Sequence, residues 1–178
     1  MKIIAGRWKG RALAAPAGLN TRPTNIRARQ AVFDILAHTP WCDLETAKVL
    51  DVFAGTGAYG LEALSRGAAA AAFIEISNPA LAVLKMNIAA CKAEAVKIVA
   101  ADALNPPVGT PHDLVFLDPP YGKALVAPAL AALTAKGWIA PGAVIVAELG
   151  PGEILDVSEV LAERAHGKAR LKIWRYPG

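Results

Sequence analysis

The sequence predicts an α/β domain built on an open, mostly parallel sheet with helices on both faces. Three observations predict it. Apolar strand-like runs alternate with helical stretches from Lys48 onward. The runs are continuously apolar, as strands buried on both faces must be. A glycine turn joins the first run to the first helix of that series.

Each element has its own warrant. "TRPTNIRARQAVFDIL" reads as a helix, with Thr24 at its N-cap after Pro23, and with Ile26, Val32, Phe33 and Leu36 on one face. Arg27 and Arg29 are expected to point away from that face. "KVLDVFA" is a buried strand, followed by the glycine turn and a helix through Leu61 and Leu64 that stops at Gly67. "AAAAAFIEI" is the second strand. The next helix is capped by Ser77 or Asn78 and carries Leu81, Leu84, Met86 and Ile88 at apolar positions. "AVKIVAAD" and "HDLVFLD" are the third and fourth strands. "ALVAPALAALTAKG" is a helix that Pro128 either starts or kinks. "GAVIVAEL" is the fifth strand, and "EVLAERAHGKARLKIWRY" is a closing pair joined at Gly167, which brings at least one antiparallel strand to the edge. No repeats or linkers divide the 178 residues, so one domain is expected: a basic arm over 1–23, a helix over 24–37 and a core over 48–178.

Composition narrows the class. No apolar run approaches the roughly 18 residues of a membrane span. The charges of "MKIIAGRWKGR" interrupt any signal-peptide core, so a cytoplasmic protein is expected, with Cys42 and Cys91 as reduced thiols. The net charge of +4 conceals an asymmetry: residues 1–33 carry seven cations and no acid, leaving −3 for the rest. A basic arm on a mildly acidic body points to a polyanion. Gly6, Trp8 and Gly10 suggest a formed hairpin, with Trp8 either stacking on RNA or anchoring the turn. Lys168, Arg170, Lys172 and Arg175 give the last strand a basic face that either extends this footprint or solvates the edge. His38, His112 and His166 have no metal-ligand spacing, and no metal is expected.

"DVFAGTGAYG" places Gly55, Gly57 and Gly60 in G-x-G-x-x-G spacing between strand and helix. Gly55 permits the turn, Gly57 admits a ligand to the backbone, and Gly60 allows close helix–strand packing. Glu75 ends the second strand and suits a ribose diol. The pattern fits an adenosine-containing ligand without choosing between NAD and S-adenosylmethionine. Asp51, four residues before Gly55, favours a sulfonium and an ammonium over a pyrophosphate. Asp102, after the third strand, is placed to receive an adenine amino group.

Asp118-Pro119-Pro120-Tyr121 closes the fourth strand at the same sheet edge. An exocyclic amino group on a base is a weak nucleophile, because its lone pair is delocalised. Asp118 and the Pro119 carbonyl can accept its two N–H bonds. The prolines fix that carbonyl, and Tyr121 can stack on the extruded base. The proton would leave to Asp118 or to water.

These segments resemble those of class I S-adenosylmethionine-dependent amino-methyltransferases. They are most similar to the RsmD-type 16S rRNA guanine-N2 methyltransferases, through "IIAGRWKGR", "TRPTNIRAR", "DVFAGTGAYGLEALSRGA", "FIEIS", "AADAL" and "LVFLDPPYG". The resemblance implies a Rossmann-like sheet of seven strands, ordered 3-2-1-4-5-7-6 with strand 7 antiparallel, carrying an N-terminal hairpin and helix. It implies transfer from S-adenosylmethionine to N2 of one guanine in 16S rRNA, free or within the small subunit, by a monomer. Cofactor contacts fall on Asp51, Phe53, Gly55, Thr56, Gly57, Glu75 and Asp102. Base handling falls on Asp118, Pro119 and Tyr121. RNA contact falls on Arg7, Lys9, Arg11, Arg22, Arg27, Arg29 and Pro120. The residues after Gly122 match loosely. The weighed rivals are transfer to adenine N6 or cytosine N4, an NAD-dependent oxidoreductase, for which the chain has no second substrate region, and a non-enzymatic RNA-binding factor.

Overall fold

A computed structural model describes residues 1–16, 23–120, 122–166 and 169–178. Arg22, Tyr121, Gly167 and Lys168 lie outside the described residues, as does the side chain of Thr24 and with it the expected cap. The elements in chain order are α1 (Pro23–Ala37), β1 (Lys48–Val52), α2 (Ala58–Ser65), β2 (Ala70–Glu75), α3 (Asn78–Cys91), β3 (Val96–Ala100), β4 (His112–Leu117), α4 (Val126–Ala135), β5 (Ile139–Leu149), β6 (Glu159–His166) and β7 (Ala169–Arg175). The strands form one sheet of order β3-β2-β1-β4-β5-β7-β6. β7 runs antiparallel to both β5 and β6, and the other pairings are parallel. The expected architecture is therefore the observed one.

Alternation along the strands sorts the core into two layers. Val49, Phe73, Phe116, Val144, Val146 and Ile173 pack with Val32, Phe33 and Leu36 of α1, Leu61 and Leu64 of α2 and Leu84 of α3. Leu50, Val52, Val115, Leu117 and Ile145 face the other way, onto Val126, Ala129 and Leu133 of α4 and onto Trp138. Pro128 sits in the first turn of α4, where its missing N–H costs nothing, and does not divide the helix. Likewise α1 begins at Pro23, one residue before the expected start. Met86 corrects the reading of α3: it is 62% exposed, and Asn87, at 2%, takes the inward position beside it.

The basic arm is not an appendage. Ile3 and Leu13 belong to the core, and the turn closes through Ile3 N–H to the Arg11 carbonyl (2.9 Å) and Gly10 N–H to the Ile3 carbonyl (2.9 Å). Trp8 packs on the core and carries the Arg7 guanidinium over its ring at 4.2 Å, so it anchors the turn. The buried Glu62 carboxylate of α2 accepts from Ile4 N–H (2.7 Å) and Ala5 N–H (3.0 Å). Ser65 accepts from Trp8 N–H (3.0 Å) and donates to the Ala5 carbonyl (2.6 Å). Gly6 has φ +80, and a Cβ there would stand 1.8 Å from the Ser65 carbonyl oxygen. Backbone on both sides leaves nothing to yield. Gly6→Ala is expected to destabilise the protein by at least about 2 kcal/mol in urea unfolding, by lifting the arm from α2.

The basic face expected of the last strand is largely committed to the protein. Arg170 donates to the Glu153 carbonyl and pairs with Glu163 (3.1 Å), Lys172 donates to the Leu155 carbonyl (2.7 Å), and Arg175 pairs with Glu159 (3.3 Å). Among the described residues no helix is long and apolar enough to cross a membrane.

Candidate active site

The C-terminal ends of β1, β2, β4 and β5 build one acidic edge. β1 ends at Val52 and the chain turns through three left-handed residues, Phe53 (φ 60), Gly55 (φ 54) and Gly57 (φ 78). The two glycines adopt this without strain, whereas Phe53 bears a local cost of about 1–3 kcal/mol of the kind found at ligand sites. Gly55 turns the chain and Gly60 packs closely, as expected, and the reading of Gly57 changes. A Cβ on Gly57 would meet Leu84 Cδ1 at 2.4 Å and one on Gly60 the Phe73 ring at 2.4 Å, so both glycines serve packing. A Cβ on Gly55 would meet nothing nearer than the Phe53 carbonyl at 3.9 Å. Gly55, not Gly57, therefore offers open backbone to a ligand.

The carboxylates hold this turn in shape. Glu75 Oε2 accepts from Gly55 N–H (2.8 Å), and Oε1 from Ile76 N–H (2.9 Å) and Ser77 N–H (2.8 Å). Ser77 makes no side-chain cap to α3, and Glu75 instead fixes the backbone just before the helix. Asp51 accepts from Gly60 N–H (2.8 Å) and is only 2% exposed. Burial pushes its carboxyl up to about 8, with Asp118 and Glu75 adding to the rise and the Gly60 bond and Arg29 opposing it. Asp102 is exposed and caps its own turn by accepting from Leu104 N–H (2.9 Å). Thr56 is half-buried, and its carbonyl accepts from the Asn87 amide (2.9 Å).

Asp118 directly follows β4 and Pro119 is buried behind it, while Pro120 is exposed. Burial raises the Asp118 carboxyl to about 7; the Glu148 charge adds to this and Arg29 works against it. Tyr59, at the start of α2, stacks on Phe116 (ring centroids 4.8 Å) and beside Phe33 (6.3 Å), beneath the same edge. Burial, with Asp118 and Glu148 nearby, moves its hydroxyl well above the ordinary phenol range.

Arg29 is a correction. It is 1% exposed and cannot lie on RNA. Its guanidinium donates to the Lys2 carbonyl (2.6 Å) and the Met1 sulfur (3.1 Å), and its Nε lies 3.8 Å from Glu62. Burial lowers its pKa, and Glu62, Tyr59 and Asp51 counter this. It is the internal cation that offsets the acids of the edge. Arg7, Lys9, Arg11 and Arg27 are exposed. Arg7 N–H binds the Ser65 carbonyl at the far end of α2, and Arg11 donates to the Ala90 carbonyl (2.6 Å) near the end of α3. The Arg7 backbone therefore stands about 12 Å, the length of an eight-residue helix, from the glycine turn.

Glu148 and Tyr59 were not among the sequence candidates. Glu148 carried the same signal as Asp118, an acid ending an apolar strand. Ile76 (63% exposed) and Leu104 (39% exposed) add apolar surface next to Glu75 and Asp102.

This sheet order, with a glycine turn after β1 and acids closing β2 and β4, is that of the class I methyltransferases. The family model described as Conserved hypothetical protein 95 matches residues 1–175. Ribosomal RNA small subunit methyltransferase D of Escherichia coli (strain K12) is 40% identical over 150 residues, 83% of this chain and 74% of that protein. Its Haemophilus influenzae namesake is 33% identical over 98% of this chain and 93% of that one. The solved structure of Escherichia coli yhhF, a methyltransferase by name, superposes with a TM-score of 0.86 at 36% identity, covering 99% of this chain and 98% of that one. The chain belongs to this family, that of the small-subunit ribosomal RNA methyltransferases D, and is a methyltransferase.

Proposed function

We propose that the protein transfers a methyl group from S-adenosylmethionine to the exocyclic N2 of one guanine in 16S rRNA, acting as a monomer in the cytoplasm. The observation that carries this reading is the placement of Asp118-Pro119-Pro120 on the same sheet edge as the glycine turn and Glu75. A nucleobase amine and an adenosine ligand can meet there.

The residues fit the cofactor. Open backbone at Gly55 suits its close approach. Glu75 holds the turn and keeps an Oε2 lone pair for a ribose hydroxyl, Asp102 suits the adenine amine, and Ile76 and Leu104 suit the faces of its rings. When bound, the cofactor supplies an electrophilic methyl on a sulfonium, whose bonding pair passes to sulfur as the new C–N bond forms. Asp118 accepts one N–H of the target amine and the Pro119 carbonyl the other. That turns the nitrogen lone pair toward the methyl, and catalysis is mainly this positioning. Tyr121 supplies the ring for stacking, and Asp118 or water takes the departing proton. The exposed Arg7, Lys9, Arg11 and Arg27 bind phosphates away from the reacting base.

The raised carboxyl of Asp51 predicts how binding responds to pH. A cation beside it lowers its pKa, so binding expels a proton. The affinity for S-adenosylmethionine is expected to rise from pH 6 to about 8 and then level off. S-adenosylhomocysteine, without the sulfonium charge, gives a shallower rise. Isothermal titration in buffers of different ionisation enthalpy checks both.

The functional test uses labelled S-adenosylmethionine with naked 16S rRNA and with small subunits from cells lacking the gene. N2-methylguanosine in digests of either substrate supports the reading. N6-methyladenosine, N4-methylcytidine or no label in both overturns it.

A further inference from the structure

We infer that Glu148 is the specificity-determining residue that makes the site accept guanine, by taking the ring N1–H while Asp118 takes an N2–H. The inference rests on the proposed guanine chemistry and names the part of the site that selects it.

The register supplies the geometry. β4 and β5 pair in parallel at Leu114↔Val144, Val115↔Ile145, Phe116↔Val146 and Leu117↔Ala147. The next residues are Asp118, directly after the end of β4, and Glu148, still within β5. Side chains at paired positions of parallel neighbours stand on the same face, about 4.8 Å apart along the sheet. Phe116 and Val146, two residues earlier, both enter the layer under α1 and α2. Asp118 and Glu148 continue that face to the sheet edge, beyond the stacked Tyr59. Glu148 is 6% exposed, so it is presented within the protein rather than to solvent. The buried Arg29 guanidinium acts on Asp118 as a counter-charge.

Two adjacent carboxylates are an acceptor pair. Ionised, they offer lone pairs and no hydrogen. Guanine alone among the four bases sets a ring N–H directly beside an exocyclic amine. Adenine and cytosine set a ring lone pair beside theirs. That lone pair facing Glu148 would leave two buried acceptors opposed, with no proton between them. A single acid at Asp118 would hold any of the three amines. The second acid removes two of them.

The test changes the atom pattern beside the amine. Small subunits are reassembled with RNA carrying guanine or 2-aminopurine at the mapped methylation position; 2-aminopurine keeps the amine, has a lone pair at N1 and lacks O6, so the response of the preference to Glu148→Gln, which leaves any O6 contact unchanged, assigns the N1 part. Wild type is expected to favour guanine in kcat/KM by about a hundredfold or more, as sites built around a substrate N–H do. In Glu148→Gln the amide can donate to that lone pair, so the preference is expected to fall below about tenfold, chiefly through faster 2-aminopurine methylation. Cofactor affinity, measured alongside, stays within about twofold of wild type if the role is confined to base selection. Equal rates on both bases in wild type, or an unchanged preference in a Glu148→Gln protein that still binds cofactor, would overturn the inference. Should Glu148→Gln not fold, Glu148→Ser, whose hydroxyl can donate as well as accept, takes its place, with a narrowed preference expected and an unchanged one overturning the inference. Failure of wild type to methylate the guanine substrate would remove the functional reading and this inference together, whereas equal rates remove the inference alone.

Discussion

Asp118→Ala is expected to lower kcat for methyl transfer by about 10²–10⁴-fold while leaving cofactor affinity nearly unchanged. The carboxylate acts on the target amine, and the cofactor is held by the glycine turn and Glu75 one and two strands away. Stability gives the independent readout. The folded-state pKa of Asp118 is about 7, above the ordinary carboxylate value, so the folded protein holds its proton where the unfolded chain has lost it. Its contribution is therefore complete in acid and is lost as pH rises from about 4 through 7. Removing it at pH 8 removes a penalty, so the melting temperature of Asp118→Ala should equal or exceed that of wild type. In the wild type, kcat/KM is expected to climb with an apparent pKa between about 7 and 8, because the acceptor must be ionised. A variant that lost activity by misfolding would melt early and bind no cofactor, so calorimetry with a binding titration separates the two causes.

Glu62→Ala has the largest expected effect on stability, a loss of about 3–5 kcal/mol. The carboxylate is fully buried. It accepts from two arm amides and from Arg66 Nε (2.8 Å), and it is the ion-pair partner of the buried Arg29. Alanine would strand two backbone donors and take the carboxylate partner from two guanidinium groups at once. The arm should detach, and its base at Ala14 is tied by Asn87 to the glycine turn through Asn87 Oδ1 to Ala14 N–H (2.8 Å) and Asn87 Nδ2 to the Thr56 carbonyl (2.9 Å). Urea unfolding measures the loss. Glu62→Gln, which keeps acceptor oxygen but not charge, should recover part of it.

The sheet was legible because parallel strands buried on both faces write themselves as continuous apolar runs, and the glycine turn follows the first of them. The acids at strand ends were legible for the same reason, and Glu148 was as readable as Asp118 by the rule that found it. Arg29 was misread by charge. It stands three, four and seven residues before Val32, Phe33 and Leu36, so its helix face was apolar, and the period placed it inward. What hid its role was its partner: Glu62 lies on another helix, and nothing local in sequence joins the two. The role of Gly57 was misread because spacing reports which residues lack a Cβ, not what that Cβ would strike. Leu84, from the following helix, decides it for Gly57. The position of the arm depended likewise on distant backbone, the Ser65 carbonyl against Gly6.

Nucleoside mass spectrometry of small-subunit rRNA, from cells lacking the gene and from the same cells complemented, bears most directly on the central claim of an amine-methylating pocket at the Asp118 corner. Loss of one N2-methylguanosine per small subunit, restored by the wild-type gene and not by Asp118→Ala, is the result expected. An unchanged N2-methylguanosine content on deletion, or full restoration by Asp118→Ala, would contradict it.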